Sequence, residues 1–186
     1  MKVTNELALP AAGYEPDCRI GKEDLPFVKE FIAEAMQHVE AAEASVLMLE
    51  KDPRNKEAVE TLFRSFHTIH GSAGFLHLQQ FGKLAHAAEN MLNQVRRGSM
   101  PWADSTIELA LDSIDLLKTM IVALEESARR DAPLARQERL PALLQRLRVA
   151  ETVVAAEQVA VTIMRMAQPQ LHAVPDKATS SERGAS

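Results

Sequence analysis

Cysteine is almost missing from this chain, and its single copy, Cys18, can close no intrachain disulfide and furnish no cysteine-rich zinc site. That scarcity fits a reducing cytoplasm. No run of about 18 apolar residues occurs, and the N-terminus has one lysine and no sustained apolar segment, so neither a membrane span nor an export signal is predicted. A surplus of positive charge is absent too. The formal net charge is −5 and the pI near 5.7, which leaves no global basic field to hold nucleic acid or an anionic membrane. Aromatic residues make up only 4%. Glycine-rich phosphate loops, Walker signatures and kinase-type nucleotide motifs are all lacking, so nucleotide chemistry is not expected of these 186 residues themselves.

What remains is alanine, leucine, glutamate and valine, within a hydrophobic fraction of 46%. This is the palette of packed helices. The spacing predicts an all-α chain. Residues 1–23, with Pro10, Gly13, Pro16 and Gly21, are expected to form a flexible arm. A first helix should start at Asp24 with Pro26 in its first turn, and carry Phe27, Phe31, Ala35, Val39, Ala42, Val46 and Leu49 inward as far as Lys51. Asn55 caps a second helix, with Leu62, Phe66 and Ile69 inward. A third spans about Leu78 to Arg97 with Phe81, Ala85, Ala88, Leu92 and Val95 inward, and stops at Gly98. A fourth, capped by Asp104 or Ser105, carries Ile107, Leu111, Ile114, Leu117, Ile121 and Leu124.

Four amphipathic helices on short joints specify an antiparallel up-down bundle, here over residues 24–130. A fifth helical segment, Gln137 to Met166 within 134–167, carries Leu140, Leu144, Leu147, Val154 and Val161. Residues 168–186 are polar and are expected to be a disordered tail. The fifth segment can fold back on the bundle or pair with a second copy; a monomer is the expected state. Arginines at 129, 130, 136, 139, 146 and 148 either steer an acidic partner or form a solvated face.

The most informative stretch is HTIHGSAG, residues 67–74. At about 100° per residue, Leu62, Phe66, Ile69 and Ala73 share one side of a helix. Phe63, His67, His70, Gly71 and Gly74 gather elsewhere, so His67 lies off the core. Each glycine inside a helix costs about 1 kcal/mol against alanine. Two reasons could offset that cost: an open approach to the imidazole, or a neighbouring helix packed close. On the third helix His86, Glu89 and Gly82 share a polar face. If the second and third helices pack antiparallel, this face can lie beside His67, and a carboxylate on Nδ1–H would leave the Nε2 lone pair outward and more basic.

LEKDPRN, LFRSFHTIHGSAGFL and LAHAAENMLNQVRRG resemble the histidine-phosphotransfer (HPt) domain, most closely the N-terminal phospho-acceptor domain of CheA-type chemotaxis histidine kinases, over residues 27–125. The resemblance implies that His67 takes a phosphoryl group on Nε2, that Glu89 orients Nδ1, and that His86 is a companion in the acceptor network. It implies that Gly71, Ser72 and Gly74 let a response-regulator active site close over the ring. Helical phase adds Phe63, Phe75 and Gly82 as candidate docking residues.

The implied partners are a histidine kinase and a response-regulator receiver domain. The chain would be a phosphocarrier, not an enzyme, with no cofactor of its own, since ATP and Mg²⁺ belong to those partners. It could equally be free-standing or the acceptor domain of a CheA-like kinase. One position departs: the family commonly has lysine where this chain has His70, whose charge varies near neutral pH, with a reference pKa of about 6.5. His70 is also a competing acceptor. Two other classes stay open. The pairs His67/His70 and His86/Glu89 could bind a transition metal, and a purely structural or adaptor bundle needs none of these roles.

Overall fold

The computed structural model describes residues 20–167. Cys18 and most of the expected N-terminal arm, together with the whole of the tail expected over 168–186, lie outside the described residues. Five helices follow one another: α1 (Leu25–Lys51), α2 (Lys56–Phe75), α3 (Gln79–Arg96), α4 (Asp104–Arg130) and α5 (Leu140–Ala167). No strand is present among the described residues.

Local chemistry sets the joints. Asn55 accepts a hydrogen bond from the Ala58 amide at 3.0 Å, satisfying one of the free donors at the start of α2. Between α2 and α3 only three residues intervene, and His77 adopts a left-handed conformation, φ 55°, to make the reversal. Gly98, φ 71°, ends the basic last turn of α3 as expected. The start of α4 departs from expectation. Asp104 is its first residue rather than its cap, Ala103 holds the cap position without a side-chain bond, and the Thr106 hydroxyl donates to the Pro101 carbonyl at 3.0 Å.

Side-chain pairs give the directions. Along α2, Glu60 meets Arg96 and His67 meets Glu89, so α3 runs antiparallel to it. Phe75 meets Phe27 and Ser72 meets Glu34, so α1 does too. α4 closes the bundle by packing on both α1 and α3, and α5 lies along α3 and α4. The core is continuous: Phe31, Val39, Leu49, Leu62, Phe66, Ile69, Phe81, Leu84, Met91, Leu92, Ile114, Leu117, Met120 and Leu124 are all at most 3% exposed. Phe31 and Phe81 meet edge to face, centroids 5.3 Å apart.

Two expected core residues are on the surface. Phe27 is 52% exposed because Val28, one residue on, takes the inward place at the start of α1. Leu111 is 42% exposed, since the buried arc of α4 is centred on Ala110, Ser113 and Leu117. α5 begins three residues later than expected and buries Leu140, Leu143, Leu147 and Val154; Leu144 is half-buried, and the Val161 side chain lies outside the described set.

Gln80 ties the segment before α5 to α3. It is wholly buried, donates to the Ala135 carbonyl and accepts from the Gln137 amide at 2.8 Å. The arginine run is partly spent within the molecule: Arg139 pairs with Asp115, Arg146 with Glu108 and Asp112, and Arg129 and Arg130 with Glu126. In urea unfolding, Phe81→Ala should lose about 3–5 kcal/mol, whereas Asn55→Ala should lose about 1 kcal/mol through its cap alone.

Candidate functional site

The amphipathic phase of α2 buries Leu62, Phe66, Ile69 and Ala73 and turns His67 outward, with 64% of its side chain exposed. The corresponding phase of α3 buries Leu84, Ala85, Ala88 and Leu92 and leaves Glu89 at the seam, 16% exposed. Antiparallel packing brings the two together: His67 Nδ1 lies 2.9 Å from Glu89 Oε1. The other oxygen, Oε2, lies 3.0 Å from His70 Nδ1. One carboxylate thus serves two imidazoles.

Burial on its own would raise the Glu89 carboxyl, but the hydrogen bonds and charge of His67 and His70 outweigh it and hold the group below its ordinary value of 4.5. It is therefore ionised at neutral pH and can only accept. Both Nδ1 atoms must be the donors, so in whichever ring carries a single proton the basic atom is Nε2.

The surroundings hold the rings further. Phe63, one turn before His67, stacks beside it with centroids 5.8 Å apart and planes 14° from parallel. The Arg96 guanidinium sits 4.0 Å above the Phe63 ring and also reaches Glu60 and Asn93. The His86 ring packs at 4.8 Å on His70 rather than on His67. Glu151, on α5, faces His86; burial raises its carboxyl, against the opposing charges of His86 and Arg148.

The glycines decide between their two readings. A Cβ added at Gly71, Gly74 or Gly82 would meet nothing within 4 Å, so no neighbouring helix needs them for close packing. They leave a shallow, side-chain-free approach beside the imidazole. Ser72 turns towards α1 and donates to Glu34 at 3.3 Å. Phe75, 75% exposed, meets Phe27 edge to face at 6.5 Å, and the pair flanks a groove of about 360 Å³ between α1 and α2. His67 lines none of the grooves at α1–α2, α4–α5 or the Pro53–Trp102 end, and stands on open surface.

Sequence reasoning missed three features: the sharing of Glu89 with His70, the Arg96–Phe63–His67 stack, and the Gln80 clamp. Arg96, seven residues after the Glu89 of the HxxE pair, carries no sequence signal of a ring contact, because the register of α2 against α3 is needed to see it. Among the described residues no group of three or more His, Cys, Asp or Glu side chains converges as a metal site requires.

The Hpt domain model matches residues 26–150. The chain belongs to the Hpt domain family. Among similar curated proteins, the chemotaxis protein CheA of Treponema pallidum is 35% identical over 101 residues, which cover 54% of this chain and 12% of that protein. CheA of Listeria monocytogenes is 32% identical over 106 residues, covering 57% and 17%. The chain therefore spans less than a fifth of the length of these relatives. Among solved structures, the phosphorylated P1 domain of CheA3 in complex with CheY6 from R. sphaeroides is 28% identical with a TM-score of 0.60, covering 71% of this chain and 98% of that one. The CheA phosphotransferase domain from Thermotoga maritima, 24% identical with a TM-score of 0.51 over 53% of this chain and 93% of that one, shares the fold.

A group whose pKa is lowered on folding stabilises the fold above its unfolded value, and that contribution is lost as pH falls through the folded value. For Glu89 the unfolded reference is 4.5 and the folded value lies below it. The gap in thermal midpoint between the wild type and Glu89→Gln should therefore be open at about pH 5 to 6 and close in stronger acid; scanning calorimetry across this range measures it.

Proposed function

We propose that this Hpt chain is a phosphocarrier that accepts a phosphoryl group on His67 Nε2 from a histidine kinase and passes it to an aspartate of a response-regulator receiver domain. The observation that carries this reading is the Glu89 carboxylate on His67 Nδ1, combined with an exposed ring and open space over Gly71 and Gly74. Similarity to CheA proteins, and to a P1 domain whose solved structure is phosphorylated and bound to CheY6, supports the same assignment.

The chemistry follows from the tautomer. When the Nε2 lone pair attacks phosphorus, the bond to the donor's leaving group breaks and its electron pair departs with that group. Both ring nitrogens then carry a substituent and the imidazole becomes cationic. Glu89, already bonded to Nδ1–H, stabilises that charge as it develops. In the return step the same ring leaves phosphorus, and the proton stays on Nδ1. Nucleotide and Mg²⁺ are supplied by the partner proteins, and the chain contributes no cofactor. The docking face comprises Phe63, Gly71, Gly74, Phe75 and Gly82, with Ser72 at its α1 edge. No helix among the described residues is long and apolar enough to cross a membrane; we assign the carrier to the cytoplasm as a monomer.

His70 holds the second oxygen of Glu89 and so shares the carboxylate that orients His67. His86 belongs to the network through its contact with His70. Labelling with ³²P from an active phosphodonor should give an acid-labile phosphoprotein, lost in His67→Gln and retained in His70→Gln. Label retained in His67→Gln but lost in His70→Gln would move the acceptor.

A further inference from the structure

A guanidinium is permanently charged in a protein. The structure places one in the acceptor's ring stack. Arg96, at the end of α3, lies with its guanidinium carbon 4.0 Å above the Phe63 ring, and Phe63 in turn lies nearly parallel to His67 at 5.8 Å. The side chain is fixed from three sides: by the ring beneath it, by a 2.9 Å bond to Asn93 on its own helix, and by a longer 3.4 Å contact with Glu60 on α2. It is 36% exposed, so it is anchored along its length and still open to solvent. Phe63 is half-buried and packs against the core, which makes it a firm platform.

The geometry points to Arg96 as a positioning residue for phosphoryl transfer, a permanent positive charge that Phe63 holds one ring away from His67 to draw the anionic phosphoryl donor towards Nε2. This rests on the phosphocarrier reading above. Two physical effects act together. The stacked Phe63 ring limits rotation of the imidazole about its Glu89 bond, which fixes where the Nε2 lone pair points. The guanidinium biases the approach of a negatively charged group, an attraction that salt screens because both partners are solvent-exposed. Glu60 faces the same guanidinium and offsets part of its charge; at 3.4 Å that pairing is loose enough to yield to a phosphoryl group. Arg64, the residue next to Phe63 on α2, is exposed and is not the guanidinium that sits over the Phe63 ring.

The test uses the whole chain and phosphoramidate, a small anionic donor that needs no protein docking. In its reaction the Nε2 lone pair bonds to phosphorus while the donor's P–N bond breaks, and its electron pair leaves with ammonia. Labelling of His67 is followed at low and high ionic strength, about 0.01 and 1 M, between which the screening length falls from about 30 to about 3 Å. Wild-type labelling should slow at high salt. Arg96→Gln should label about three- to tenfold more slowly at low salt and respond little to salt, with its thermal midpoint near that of the wild type. Arg96→Lys, which keeps the charge, should recover at least half of the lost rate, and Phe63→Leu should fall between the two.

A purely structural Arg96 would move the midpoint and leave the salt response alone. Wild-type rate and salt response in Arg96→Gln would overturn the inference while the phosphocarrier reading stands. A wild type that takes no label on His67 would defeat both.

Discussion

The carboxylate of Glu89 is the constraint on which this site depends. It sits at the α2–α3 seam, largely shielded, and each of its oxygens accepts from a different imidazole. A shielded carboxylate without partners would tend to take up a proton. With two ring N–H donors it remains ionised, and in return it sets the tautomer of both rings. The tautomer of His67, the direction of its free nitrogen and the tie to His70 all follow from one side chain. The bundle core makes this possible, because Leu62, Phe66 and Ile69 on α2 and Leu84, Ala88 and Met91 on α3 settle the register that puts residue 89 opposite residues 67 and 70.

Around this fixed centre the surface is built by subtraction. Gly71, Gly74 and Gly82 have no neighbours where side chains would be. To one side stands the exposed Phe27–Phe75 pair, to the other the Arg96–Phe63 stack. The approach to His67 is thus low in the middle, apolar at one edge and cationic at the other. A flat face of this kind suits another protein's active site better than a small molecule, which would need an enclosing pocket.

Much of this was legible in the sequence, for identifiable reasons. Helix number, the Asn55 cap, the Gly98 stop and most of the core follow from period and punctuation, which are local properties. The pairing of His67 with Glu89 was anticipated from helical phase on two adjacent helices with a short joint. Phe27 and Leu111 were misplaced because each lies one residue from a buried neighbour, and periodicity cannot say which edge of an apolar arc another helix will cover. The bifurcated use of Glu89, the move of His86 onto His70 and the seat of Arg96 on Phe63 depend on the register and tilt of α2 against α3, which no single helix encodes. The glycines were ambiguous in sequence since open space and close packing ask for the same residue; only the third dimension separates them.

His77 stands in the left-handed conformation at the three-residue joint between α2 and α3. That reversal makes one helical hairpin of residues 56–96, and the hairpin holds His67, His70, His86, Glu89, Phe63 and Arg96 without help from α1 or α4. Contacts of short sequence separation form fastest, because little loop entropy is lost in closing them. The His67–Glu89–His70 network can therefore assemble early as the chain folds, with the remaining helices arriving to seal a geometry already drawn.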